Sequence, residues 1–218
     1  MRPRPRSALA GIILACLPGT GAAQSGSGVV ERWLETNAGA GKLRVEFSQT
    51  RKINTLKVPI REKGVLWIDH QADRLRWQAG DPPKTIVIRH GGEILIVRPD
   101  QKKFERRAAG GAATPGVAAL AGGFPRNMEE FERKYRLHDV KVRKDSCRIM
   151  AQPRGQAGRA VRSFTFVVGR EDHRLRAVEI VFRDGSTQSI AFTKVEPGAN
   201  IPPGIFNVDL SGYEAAQF

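Results

Sequence analysis

From Lys42 to Leu210 apolar residues recur mainly at every second position, the spacing of half-buried β-strands. In "KLRVEFSQ", Leu43, Val45 and Phe47 fall on one face, with Arg44, Glu46 and Ser48 on the other. The runs "VLWI", "DRLRW", "KTIVIRH", "EILIV" and "KKFERR" follow, separated by the turn clusters "AGDPP", "HGGE" and "RPDQ". After an interruption the alternation resumes in "RLHDVKVRK", "SCRIMAQ", "RAVRSFTFVVG", "HRLRAVEIVFRDG", "TQSIAFTKV" and "GIFNVDL". These runs predict about eleven strands. Their connections are too short for parallel crossovers, so the hairpins are antiparallel.

Helical spacing occurs in few places. "VVERWLETNAG" sets Val30, Trp33, Leu34 and Asn37 on one side and ends at Gly39. The Gly/Ala-rich interruption from Ala108 to Tyr135 holds two further candidates. One runs from Pro115 to Ala121; the other starts at Asn127 as N-cap, with Glu130 three residues later and Phe131 and Tyr135 on one side. The expected fold is therefore mainly β with a few helices. A sheet of this length hides its apolar face by curling, and an incomplete antiparallel barrel needs a plug that short helices can form. Glycines 110, 111, 116, 122 and 123 would let the insert shift as a lid, and a plain surface loop is the other reading of the same segment.

Composition narrows the class. With 218 residues, 40% of them hydrophobic, the chain suits one domain. Residues 1–23 have the anatomy of a secretory signal peptide: Arg2, Arg4 and Arg6, an apolar run from Ala8 to Leu17, then small residues through Ala23. Residues 24–218 form the single mature domain, and the apolar run is too short to cross a bilayer. "IILAC", ending at Cys16, also looks like a lipoprotein signal, which would place a lipid on Cys16. Cleavage after Ala23 leaves Cys147 without a disulfide partner.

The net charge of +14 falls to about +11 without the three leader arginines, a field that favours acidic partners or an anionic membrane surface. Its cations are spread along the chain with no nucleic-acid motif among them, so no nucleic-acid partner is expected. His70, His90, His138 and His173 lack metal-pair spacing, and no nucleophile elbow, phosphate loop or Cys/His arrangement is present. The expectation is a non-enzyme with no cofactor or metal. Arg44, Arg74, Arg76, Arg174 and Arg176 offer a basic outer face for docking on an acidic donor or acceptor.

Taken in order, a short helix, "FSQTR", "GVLWI", "RLRW", "PP", "HGG", the insert with "VAALAG", "FERKY" and the closing "IPPGIFNVDL" resemble the LolA-like outer-membrane lipoprotein carrier proteins of the periplasm. The similarity covers nearly all of the mature chain. It rests on Phe47 with Gln49, Gly64 before Trp67, Leu75 and Trp77 one residue apart, Gly91 in the next turn, and the ending at Phe206.

The resemblance implies an incomplete antiparallel barrel with a helical lid that shields the acyl chains of a lipoprotein, or of a related lipid, on the way to the outer membrane. It implies a monomer that meets an inner-membrane donor complex and an outer-membrane acceptor. Under it, Phe47, Trp67, Leu75, Trp77, Ile86, Ile88, Ile94 and Ile96 line a concave wall, joined by Leu120, Phe131, Phe164 and Phe166. Leu66, Ile68, Val87, Leu95 and Val97 form a second apolar set of opposite parity. The lid-latching Arg-Pro of the best-studied carriers is replaced here by Gln71 and Ala72, and "TRKINTLKVPIREKG" is more similar to paralogues that carry another lipid. A LolB-type lipidated acceptor with the same fold is the alternative if Cys16 is acylated.

Overall fold

The computed structural model describes residues 26–108 and 124–216. Helix α1 spans Gly26–Ala38, α2 Met128–Lys134 and α3 Ala157–Ala160. The strands are β1 Lys42–Lys52, β2 Ile60–Asp69, β3 Arg74–Ala79, β4 Thr85–His90, β5 Glu93–Arg98, β6 Lys103–Ala108, β7 Tyr135–Val142, β8 Ser146–Pro153, β9 Val161–Gly169, β10 Leu175–Phe182, β11 Thr187–Pro197 and β12 Glu214–Ala215. They form one unclosed sheet in the order β12-β6-β5-β4-β3-β2-β1-β11-β10-β9-β8-β7. All pairs are antiparallel except the short β12 against β6. The signal segment, Cys16, the Pro115–Ala121 candidate, its flanking glycines and Leu120 lie outside the described residues.

Two antiparallel runs, β1–β6 and β7–β11, meet where β1 pairs β11, with Val45 opposite Val195 and Phe47 opposite Phe192. Helices α1 and α2 cover one face, termed inner here. Helix α1 buries Val29, Val30, Trp33 and Leu34 in the β7–β10 half. Trp33 lies 4.8 Å from Phe166 and meets Phe131 edge-on at 6.2 Å, the geometry aromatic rings favour. Helix α2 starts as its sequence predicts: the Asn127 side chain accepts from the Glu130 N–H at 2.9 Å, and its last turn carries Arg133 and Lys134. In the β1–β5 half the inner core is Leu43, Val45, Phe47, Leu66, Ile68, Leu75, Trp77, Val87, Ile94 and Ile96.

Two expectations are corrected. "GIFNVDL" is not a strand: residues 204–210 run as an irregular strap across the outer face, where Phe206, Val208, Leu210 and Tyr213 pack on Ile86, Ile88 and Val97. Facing is the second. Trp67 sits opposite Arg76, Ile88 opposite Arg76 and Ile86 opposite Gln78, so Trp67, Ile86 and Ile88 lie on the outer face. The reason is parity across turns. His90 pairs with Glu93 around Gly91 and Gly92, whose φ angles of 59° and 79° suit a two-residue hairpin turn. Such a turn pairs odd positions with even ones, so Val87, not Ile86, shares a face with Ile94 and Ile96.

Candidate functional site

Helix α1 ends at Ala38, and the chain turns through Gly41 at φ 61° into β1. The helix thus covers the β7–β10 half and stops short of β1, β2 and β11. Where it stops, a cavity of about 290 Å3 opens. Its walls are Leu43, Val45, Leu66 and Ile68 from β1 and β2, with Phe192 and Val195 from β11. Phe124 closes one side, 6.3 Å edge-on from Phe192. Thr36, Asn37, His70 and Arg174 form the polar part of the lining. This size is at the lower end of small-molecule sites, about 300–1,000 Å3, and the mostly apolar lining with a few convergent polar groups fits that class.

The rim is electrostatically organised. Burial and the nearby Arg126 and Arg89 push the His70 imidazole below its ordinary pKa. Its Nε2 is buried with no hydrogen-bond partner among the described residues. Arg89 pairs with Asp73 at 2.9 Å and Arg126 with Glu130 at 2.6 Å. Beside His70, the Asp69 carboxylate accepts from the Ala72 N–H at 3.1 Å and from Arg74 Nη2 at 2.9 Å. These bonds hold the turn through Gln71 and Ala72.

Burial of Asp69 opposes ionisation, but the bonds from Arg74 and Ala72 outweigh it and hold the carboxyl below its ordinary value of 3.8. Because the folded pKa is depressed, its stabilisation is complete above pH ~4 and is lost as pH falls through the lower folded value. Asp69→Asn should therefore destabilise the protein by about 1–3 kcal/mol at pH 7 and by less toward pH 3. Urea titrations at both pH values check this; an equal loss at the two would show that ionised Asp69 contributes nothing.

The sequence-predicted site residues separate into groups. Phe47, Leu75, Trp77, Ile94 and Ile96 belong to the inner core that continues from the cavity wall, with Phe47 stacked on Trp77 at 3.7 Å. Phe131, Phe164 and Phe166 fill the aromatic core beneath α1. Trp67, Ile86 and Ile88 are on the outer face, as above. The cavity lining itself is made by neighbours: Leu66 and Ile68 from the set of opposite parity, and Phe192 and Val195, whose role follows from the β1–β11 register.

The expected basic outer face is largely committed within the fold. Arg44 pairs with Glu46 and Glu196, Arg74 with Asp69, and Arg176 with Asp172. Arg76 is buried beneath the strap, donating to the Ile205 carbonyl at 2.9 Å. Arg174 stands at the cavity rim instead. At the other end of the strands a hollow of about 400 Å3 is lined by Arg51, Lys52, Arg159 and Arg183 together with Asp184, Ile53 and Phe182. Cys147 is 2% exposed, and burial pushes its thiol pKa up, away from the thiolate form that reacts. Among the described residues no three His, Cys, Asp or Glu side chains gather as a metal site.

A family model described as outer membrane lipoprotein carrier protein LolA matches residues 38–209. No curated protein sequence matches the chain. Among solved structures, a conserved protein from Thermus thermophilus superposes with a TM-score of 0.54 at 7% identity, over 88% of this chain and 99% of that one. A LolA superfamily protein from Nitrosomonas europaea superposes with a TM-score of 0.49 at 9% identity, over 85% of this chain and 99% of that one.

Proposed function

The chain belongs to the outer membrane lipoprotein carrier protein LolA family, and on that premise we propose that it is a periplasmic carrier whose inner-face cavity shields the acyl chains of a lipoprotein or a related lipid. The observation that carries this reading is the apolar cavity left open where α1 stops short of β1, β2 and β11. Apolar surface there gains about 25 cal/mol per Å2 on covering, without a directed contact, so chains of different length bind by one mechanism. The wall is continuous with Phe47, Leu75, Trp77, Ile94 and Ile96 in the same inner core. No covalent step is needed. Cargo passes from an inner-membrane donor to an outer-membrane acceptor because each successive site binds it more tightly.

Val195 tests this reading. It is only partly buried and its side chain borders the cavity, so Val195→Trp fills the space while sparing the packed core. The variant should keep the circular dichroism and melting temperature of the parent yet bind a fluorescent fatty-acyl probe at least ~10-fold more weakly, the loss expected when roughly 50–60 Å2 of apolar contact is denied. Unchanged probe binding in a folded Val195→Trp protein would remove the cavity from consideration. Native mass spectrometry of protein purified from periplasm without detergent identifies the bound cargo class directly.

A further inference from the structure

We propose that the mouth of this cavity is a phosphate-binding site, in which His70 and Arg174 hold the anionic head of an amphiphile whose acyl chain lies against Leu43, Val45 and Leu66. The inference rests on the carrier reading above and adds the chemical class of the cargo.

Three observations converge on it. His70 and Arg174 come from opposite halves of the sheet, one following β2 and the other preceding β10, yet they border one cavity whose walls are otherwise apolar. With Thr36 and Asn37 they make up the polar part of the lining, and of these four only Arg174 carries a fixed charge. His70, in the cavity lining, has its Nε2 buried without a partner among the described residues, a hydrogen bond that a ligand or an ordered water would supply. In the tautomer protonated at Nε2 it is a donor facing an oxyanion.

Arg174 is also distinct from its neighbours. Its backbone N–H, not its guanidinium, bonds Asp172, whose carboxylate is taken by Arg176. Arg44, Arg74 and Arg176 each have a carboxylate partner, and Arg174 has none among the described residues. The nearby carboxylates are already held: Asp69 by Arg74 and Ala72, Asp73 by Arg89, and Glu130 by Arg126. At His70 the charges of Arg126 and Arg89 act against those of Asp69 and Asp73, and with burial they keep the ring below its ordinary pKa, as a neutral donor.

A planar guanidinium suits two oxygens of one phosphate, and charge-assisted bonds are the strong ones. Phosphate chemistry could reach this site on a lipid or free, and the experiment separates the two. Binding is measured for phosphatidic acid with a fluorescent acyl chain, for diacylglycerol with the same chains, and for inorganic phosphate by displacement. The full-length mature protein should bind phosphatidic acid about tenfold or more tighter than diacylglycerol, with millimolar phosphate alone displacing little of it. In Arg174→Glu that ratio should fall to about one or below, and Arg174→Gln should lie between. Arg174 is exposed, so neither variant disturbs the core.

Equal binding of the two lipids by the parent protein overturns the phosphate site and leaves the carrier reading standing. Binding of neither lipid overturns both. Inorganic phosphate binding as tightly as phosphatidic acid would assign the site to a free anion and overturn the amphiphile. An undiminished ratio in Arg174→Glu removes Arg174 from the site and with it the proposal.

Discussion

Replacing Gly64 with valine should abolish the fold. A Cβ at this position of β2 would lie 2.2 Å from the Gln78 carbonyl oxygen and 2.3 Å from Phe47 Cζ. Both distances are far inside contact, and one of the atoms is backbone on the neighbouring strand. The close approach exists because Phe47 crosses over Gly64 to stack on Trp77, with Ala79 providing the small partner on β3. Overpacking a core costs about 1–3 kcal/mol when side chains can move. Here a strand must move as well, so Gly64→Ala should lose at least ~3 kcal/mol, and Gly64→Val more, against a total of about 5–15 kcal/mol for a domain. Urea unfolding monitored by tryptophan fluorescence gives the value for Gly64→Ala. Adding Phe47→Leu to Gly64→Ala should recover part of the loss, because it relieves the ring contact but not the one with the Gln78 carbonyl. If Gly64→Ala proved neutral, the Phe47–Trp77 stack could not be as tight as described.

Deleting residues 204–218 should produce the second large effect. The deletion bares Ile86, Ile88 and Val97 and removes Phe206, Val208, Leu210 and Tyr213 from contact with them. At about 1.5–3 kcal/mol for each fully buried side chain, the loss is on the order of several kcal/mol, accompanied by binding of hydrophobic dyes to the outer face. Arg76 reports on the same strap. Its guanidinium donates to Ile205 and to Gln78 Oε1 at 3.0 Å, and burial lowers its pKa. Arg74 lies 4.7 Å over the Phe206 ring. Arg76→Ala should therefore cost about 1.5–3 kcal/mol in the full-length chain and much less in the shortened one, where the arginine is already in water. Equal costs in the two backgrounds would mean that Arg76 does not hold the strap.

Much of this architecture was legible in the alternation. The strands from Lys42 to Pro197, the amphipathic helix Gly26–Ala38 and the Asn127 cap all follow from local patterns that local physics enforces. Facing was harder, because β4 and β5 are apolar on both sides: one side meets the inner core and the other meets the strap. The signal for the correct faces was present in "HGGE", since a two-residue turn exchanges odd and even positions, but it is visible only when strands are paired rather than read singly. The strap misled for a related reason. Phe206, Val208 and Leu210 alternate because they lie flat on a surface, and alternation alone does not distinguish lying on a sheet from joining it. The cavity has no signature of its own. It is the space left between the end of α1 and the β1–β11 pairing, and neither feature reports on the other within the sequence.

The β1–β11 seam also governs how the molecule assembles. Most of the sheet pairs neighbours in sequence, so β1–β6 and β7–β11 can each zip up from local turns. The seam is different: it places Leu43 opposite Pro197 and must close all the chain between them into one loop. Non-local pairings of this kind fold in milliseconds to seconds, so the seam is expected to form after the two halves it joins. A chain interrupted before Thr187 lacks any partner for β1 on that side. Its central strand is then an open edge with Phe47 in the middle, a template on which a second incomplete copy can add.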